Sequence, residues 1–218
     1  MARLYLVRHG RTAWNNEEVF RGLADIPLDE VGREQAGMLR DALAQQAPHC
    51  RLIVSSPLMR GKETAGAISE AFPKAEVTVD PAFTDIDTGD WSGLTLAEVR
   101  ARYPEEWDKW VNQPHLARHP GEQSLEEVQA RAWAGVASLV PALRDGDVIV
   151  VSHRLVLKTV ILKVLGAGLE NFWRFRLDTG SVSVLETDVQ GGEERLTLCR
   201  LNDTSHLAQL RKPDRKDF

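Results

Sequence analysis

Cysteine is scarce in these 218 residues: Cys50 and Cys199 stand far apart, with no CxxC spacing. That favours reduced thiols in the cytosol, and the two could pair only if the fold brought them together. Long apolar runs are missing as well. The stretch "VLKTVILKVLGAG" is interrupted by Lys158 and Lys163, too short and too charged to span a bilayer. The apolar residues after Met1 amount to a strand's length, so no signal peptide is expected. Excess positive charge is absent too. A net charge of -5 argues against bulk binding to nucleic acid or to an anionic membrane. Any anion site must therefore be a local concentration of Arg and His. There is no internal repeat and no low-complexity tract. With 43% hydrophobic and 27% charged residues, the chain can bury a core without staples, and a soluble cytoplasmic protein is expected.

"LYLV" (4–7) and "VIVV" (148–151) are continuous apolar runs, the pattern of strands covered on both faces. "RLIVSS" (51–56), "EVTV" (76–79), "SVSVLE" (181–186) and "RLTLCR" (195–200) are further strand candidates. Amphipathic helices are predicted at 28–46, with Asp29 as N-cap, at 57–72, and at 124–143, opened by the capping-box pair Ser124 and Glu127. The segment 154–166 is apolar nearly all round, as a helix tucked against a sheet would be. Strands alternating with helices give an α/β sandwich. The stretch 87–123, with Trp91, Trp107, Trp110 and three prolines, reads as a lid over one end of the sheet. Trp107 and Trp110, three apart on a short helix, either pack that lid, as such pairs more often do, or touch ligand. The charged tail 211–218 is expected to be loose.

Three strand candidates end in polar residues: Arg8-His9-Gly10, Ser55-Ser56 with Arg60 just beyond, and Ser152-His153. Ligands of open α/β sheets bind beyond the carboxyl ends of the strands, where helix N-termini also favour anions. Two histidines and two arginines would thus converge into a pocket for a dianion, most simply a phosphoryl group. Taken singly, each has a plainer use: a strand-end histidine as a turn or core residue, Arg60 as a solvated helix residue, Asn15 as a local cap. One anion pocket explains them together.

The segments "LYLVRHGRTAWN", "SSPLMRGKETA", "GDWSGLT", "HPGEQSLEEVQAR" and "VIVVSHRLVLKTV" resemble, in order and spacing, the histidine phosphatase superfamily, which includes cofactor-dependent phosphoglycerate mutases. The resemblance runs from residue 4 to about 207. It implies a single domain over 1–218, a three-layer α/β/α sandwich around a mostly parallel mixed sheet, and no metal or other cofactor. It makes His9 the nucleophile that becomes phosphohistidine. Arg8, Arg60 and His153 would hold the phosphoryl oxygens, with Asn15 adding a side-chain contact. A neutral His9 needs one nitrogen donating to a backbone carbonyl, and Gly10 would permit the required turn. A protonated His153 would join the arginines in stabilising the transferring group.

The general acid, usually glutamate in this branch, falls on Asp85, one methylene shorter; Asp87 and Glu122 are rival donors. Arg154 stands where many members have glycine. It either faces solvent, as most arginines do, or offers charge to a second acidic group on the substrate. Arg21 and Gly22 lie where the family's loop approaches substrate. The reading is a phosphomonoesterase acting on a small phosphorylated metabolite, with no nucleic-acid or membrane partner and a homodimer as an option. The rivals are a mutase, whose segment after the acid is longer and more basic than residues 88–107 here, and an inert phosphate-binding module.

Overall fold

The computed structural model describes residues 2–118, 123–190 and 193–210. In chain order come β1 (Arg3–Arg8), α1 (Ala13–Asn16), α2 (Glu30–Gln46), β2 (Cys50–Ser55), α3 (Met59–Ser69) and β3 (Glu76–Val79). Then follow α4 (Leu96–Arg102), α5 (Pro104–Asn112), α6 (Leu125–Leu139), β4 (Asp147–Ser152), α7 (Arg154–Val164), β5 (Val182–Gln190) and β6 (Glu193–Asp203). The sheet order is β3-β2-β4-β1-β5-β6. The first four strands are parallel, whereas β5 and β6 add antiparallel edges. This is the expected mostly parallel mixed sheet.

Alternation along the central strands makes the layers. Leu4, Leu6, Val148 and Val150 face a core shared with Val128, Ala132 and Val136 of α6 and Val156, Val160 and Ile161 of α7. Tyr5, Val7, Ile149 and Val151 face the other way, onto Leu39 and Leu43 of α2 and Ala65 and Ile68 of α3. Side chains on a strand point alternately to the two faces, so an unbroken apolar run feeds both cores at once. Truncating the fully buried Ile149 to Ala would cost about 2–5 kcal/mol.

Local signals set the helix ends. Asp29 accepts a hydrogen bond from the Gly32 amide at 2.7 Å, and Ser124 and Glu127 exchange the expected reciprocal pair. The helix predicted over 124–143 is α only to Leu139 and tightens to 3-10 over Val140–Arg144. Pro141 lacks the N–H that would continue the α ladder. The helix predicted over 57–72 begins at Met59, because Leu58 is still extended. In the lid, Trp91 and Trp110 are buried, and Trp110 meets Trp91 and Trp173 edge to face. Residues 119–122 and the tail 211–218 lie outside the described residues. Cys50 is buried, Cys199 is exposed, and both are free. Among the described residues no helix is long and apolar enough to cross a membrane.

Candidate active site

Register brings the three polar strand ends together. Arg8 pairs with Ser152, the His9 amide donates to the Ser152 carbonyl at 3.0 Å, and the Ser56 amide donates to Val151 at 2.9 Å. The rings of His9 and His153 lie 5.1 Å apart between centroids. Both histidines, Arg8 and Arg60 are almost fully buried. The residues that the sequence scatters over 145 positions share one sheet rim.

His9 is held as a neutral imidazole. Its Nδ1 lies 2.6 Å from the Gly10 carbonyl oxygen, which can only accept, so the proton sits on Nδ1 and Nε2 keeps its lone pair. Burial, and then the nearby charges of His153, Arg60, Arg8 and Arg21, hold its pKa well below 6.5. Gly10 makes this turn without a positive φ. Glycine is required there because a Cβ would come 2.5 Å from the Gly32 carbonyl oxygen. Thr64 fixes this turn, accepting from the Gly10 amide at 3.1 Å and donating to the Arg60 carbonyl at 2.7 Å.

Four hydrogen bonds tie the Arg60 guanidinium into this site. Nε donates to His153 Nδ1 at 3.2 Å, Nη1 to the Ala24 carbonyl at 2.8 Å, and Nη2 to the Gly22 carbonyl at 3.0 Å and Asp85 Oδ2 at 2.9 Å. These bonds decide the charge of His153. A guanidinium nitrogen only donates, so His153 Nδ1 must accept, and the ring's proton lies on Nε2, 2.7 Å from Ser56 Oγ. Desolvation, with Arg60 and Arg21 next, holds the pKa of His153 well below 6.5. With Arg60 Nε on its Nδ1, His153 is neutral here. Arg8 donates from Nη1 to the Leu177 carbonyl.

Asp85 is buried, ion-paired to Arg60, with Oδ1 accepting from the Ile86 amide at 3.0 Å. Its segment is held from behind by Arg131 of α6, which donates to the Ala82 carbonyl at 2.7 Å and the Asp85 carbonyl at 3.0 Å. The rival Asp87 accepts from the Gly89 amide at 2.9 Å, as a turn-former does. The other rival, Glu122, lies outside the described residues.

A cavity of about 650 Å³, including its open mouth, is lined by His9, Asp85 and residues of the loops above. Asn15 lines it and is also a local cap, its Oδ1 accepting from the Thr12 amide at 3.0 Å. That leaves the amide NH2 as the group able to donate. Arg21 and Gly22 line it too. Gly22 lies at φ 50°, and a Cβ there would strike Thr88 Oγ1. Arg154 is half-buried on this lining, which corrects the solvent-facing option. Trp110 both packs the lid and lines the cavity, while Trp107 packs against the core. Ser56, Thr64, Thr88, Glu18 and Arg131 carried no assigned role in the sequence. Ser56 stood at a recognised polar strand end, and Arg131 lay within one of the matched segments.

Comparison with known proteins agrees with this geometry. Residues 4–203 match the family model described as "Histidine phosphatase superfamily (branch 1)". The chain is 35% identical over 210 residues to phosphoserine phosphatase 1 of Hydrogenobacter thermophilus, covering 96% of each. It is 30% identical over 181 residues to a 2,3-bisphosphoglycerate-dependent phosphoglycerate mutase of Mesorhizobium japonicum, covering 81% of this chain and 88% of the relative. Among solved structures, a mycobacterial glucosyl-3-phosphoglycerate phosphatase in complex with VO3 superposes with a TM-score of 0.83 at 28% identity. That match covers 94% of this chain and 100% of the other.

Proposed function

The chain belongs to the histidine phosphatase superfamily and is a phosphatase, and from that premise we propose that it hydrolyses a small phosphorylated metabolite through a phosphohistidine at His9, as one domain over 1–218. The observation that carries this is His9 itself: a buried imidazole on the cavity lining, its proton fixed on Nδ1. Such a nitrogen is nucleophilic at neutral pH without a separate base.

The chemistry follows from the contacts. A phosphoryl group entering the rim competes with Asp85 for Arg60 and with the Leu177 carbonyl for Arg8. Asp85, displaced from Arg60, takes up a proton from solvent as the dianion enters. His9 Nε2 then bonds to phosphorus as the ester P–O bond breaks, and the leaving oxygen takes that proton from Asp85. Water then adds to phosphorus, the P–N bond breaks, and the water's proton returns to Asp85. Charge developing on the equatorial oxygens is met by Arg8 and Arg60 as the phosphoryl group displaces the Leu177 carbonyl and Asp85 from them. Arg60 Nε, moving to a phosphoryl oxygen, frees His153 Nδ1 to take up a proton beside the dianion. Arg131 keeps the Asp85 segment in reach. We place the protein in the cytoplasm, and a homodimer stays an option that the site does not require.

The mutase reading draws on the 30% identical relative. The phosphatase relative matches more closely and over more of the chain, and the segment following Asp85 carries no block of basic residues. Timed release of inorganic phosphate from p-nitrophenyl phosphate and from alkyl phosphates is the test. Steady release without a bisphosphate primer supports hydrolysis. Transfer between positions of one substrate, with negligible phosphate release, would establish the mutase instead. An equal rate in His9→Ala would remove the nucleophile assignment.

A further inference from the structure

The phosphoryl pocket accounts for Arg8 and Arg60 but not for the guanidiniums on the cavity wall. Arg60 turns its donors inward, to His153, Ala24, Gly22 and Asp85. The arginines that line the cavity are Arg21 and Arg154. Arg21 Nε is buried without a hydrogen-bond partner among the described residues. Burial first, then the neighbouring Arg8 and Arg60, push its pKa down to about 9, which still leaves it cationic at neutral pH. Asp85 offsets part of this, but a buried cation beside several others is costly unless a further anion joins it.

Arg154 is braced rather than loose. Its guanidinium carbon lies 5.7 Å from the centroid of Trp173, whose Nε1 donates to the Trp110 carbonyl at 2.7 Å. Lys158, one turn along α7, sits 4.5 Å from the same ring. Cation–π contacts of this kind fix a guanidinium's direction. Arg154 is also the first residue of α7, where backbone amides lack helical partners and the helix dipole favours negative charge. Arg21 is felt by both His9 and His153, and Arg154 by Arg21, so positive charge extends outward from the nucleophile. Apart from Asp85, which Arg60 holds, the carboxylate on the lining is Glu18.

We infer that Arg21 and Arg154 form a second anion subsite, so that the substrate is a phosphate monoester carrying a further acidic group, a carboxylate or a second phosphate. The inference rests on the phosphatase reading. Two matched pairs of esters test it: 3-phosphoglycerate against glycerol 3-phosphate for a carboxylate, and propane-1,3-diol bisphosphate against 3-hydroxypropyl phosphate for a phosphate. Each is assayed with the unaltered protein, Arg154→Met and Arg154→Lys, alongside p-nitrophenyl phosphate. The unaltered protein should favour the acidic member of one pair by about 30-fold in kcat/KM, the scale of a charge-assisted hydrogen bond. The ratio should fall toward one in Arg154→Met and recover in part in Arg154→Lys. Because the ratio is taken within one preparation, partial misfolding does not alter it. A ratio that Arg154→Met leaves unchanged overturns the subsite. So does hydrolysis of p-nitrophenyl phosphate with no preference in either pair, which leaves the phosphatase reading standing. Failure to hydrolyse any of these esters removes that reading and the subsite with it.

Discussion

The rim beneath the cavity and the wall above it use arginine in different ways. At the rim, Arg60 is held by four partners and fixes the protonation of His153 and the position of Asp85. On the wall, Arg21 has an unpartnered buried Nε, and Arg154 rests on an aromatic ring. The rim is built from strand ends and helix starts, elements that the two cores hold rigidly. The wall is built from the loop after α1, the lid and the first turn of α7. Reaction chemistry therefore sits on the least deformable part of the molecule, and substrate choice on segments that can vary without disturbing it.

Substitutions should separate the two regions. The largest effect is expected at the rim: His9→Ala should lower kcat by 10⁴-fold or more, on the order seen for loss of a nucleophile. Next, Arg60→Ala should cost about 3–5 kcal/mol of transition-state stabilisation, since it strips a buried charge from four partners. Steady-state kinetics with p-nitrophenyl phosphate would check both, and a loss below tenfold in either would blur the distinction drawn here. Asp85→Asn should slow alkyl phosphates by about 10²-fold but p-nitrophenyl phosphate much less, because an activated leaving group needs little proton donation. Equal slowing of both would give the acid role to another carboxylate, with Glu122 next to be replaced. Arg131→Met should reproduce that leaving-group pattern in weaker form, roughly tenfold, as a positioning effect. A uniform loss across leaving groups would reduce Arg131 to a packing role.

The smallest expected effect is on stability. Both site imidazoles have pKa values held well below 6.5 in the fold. Unfolding below about pH 6.5 therefore takes up protons. Their contribution is intact above that pH and is lost as pH falls through the depressed values, by at most about 1.4 kcal/mol per pH unit for each histidine. Urea midpoints measured from pH 7.5 to 5 should fall, and His153→Gln should flatten the slope. An unchanged slope in that variant would mean that His153 is not neutral in the native protein.

Much of the fold was legible because its signals are local. Apolar runs gave the central strands, and Asp29, Ser124 and Glu127 marked helix starts. Arg8, His9, Arg60 and His153 stood out because the strand pattern ends at or just before them. The remainder depends on partners distant in sequence. Nothing in "SSPLMR" or "VSHR" could show that Arg60 donates to His153 and so sets which ring nitrogen carries the proton. Thr64 and Arg131 act by holding backbone carbonyls and amides, contacts that leave no trace in residue type. Gly10 was noticed, but the reason for it, the closeness of Gly32, belongs to tertiary packing. Arg154 looked like a surface residue because its bracing ring, Trp173, lies 19 positions away.

The central claim is that phosphorus passes through a bond to His9, and a rapid-quench labelling experiment meets it most directly. Substrate carrying labelled phosphate is mixed with protein for milliseconds, stopped in cold alkali, and the digested chain is mapped by mass spectrometry. We predict up to one phosphoryl group per chain on His9, stable to alkali, labile to acid, and missing from His9→Ala. Label on a serine, threonine or carboxylate, or full turnover by His9→Ala, would contradict the account.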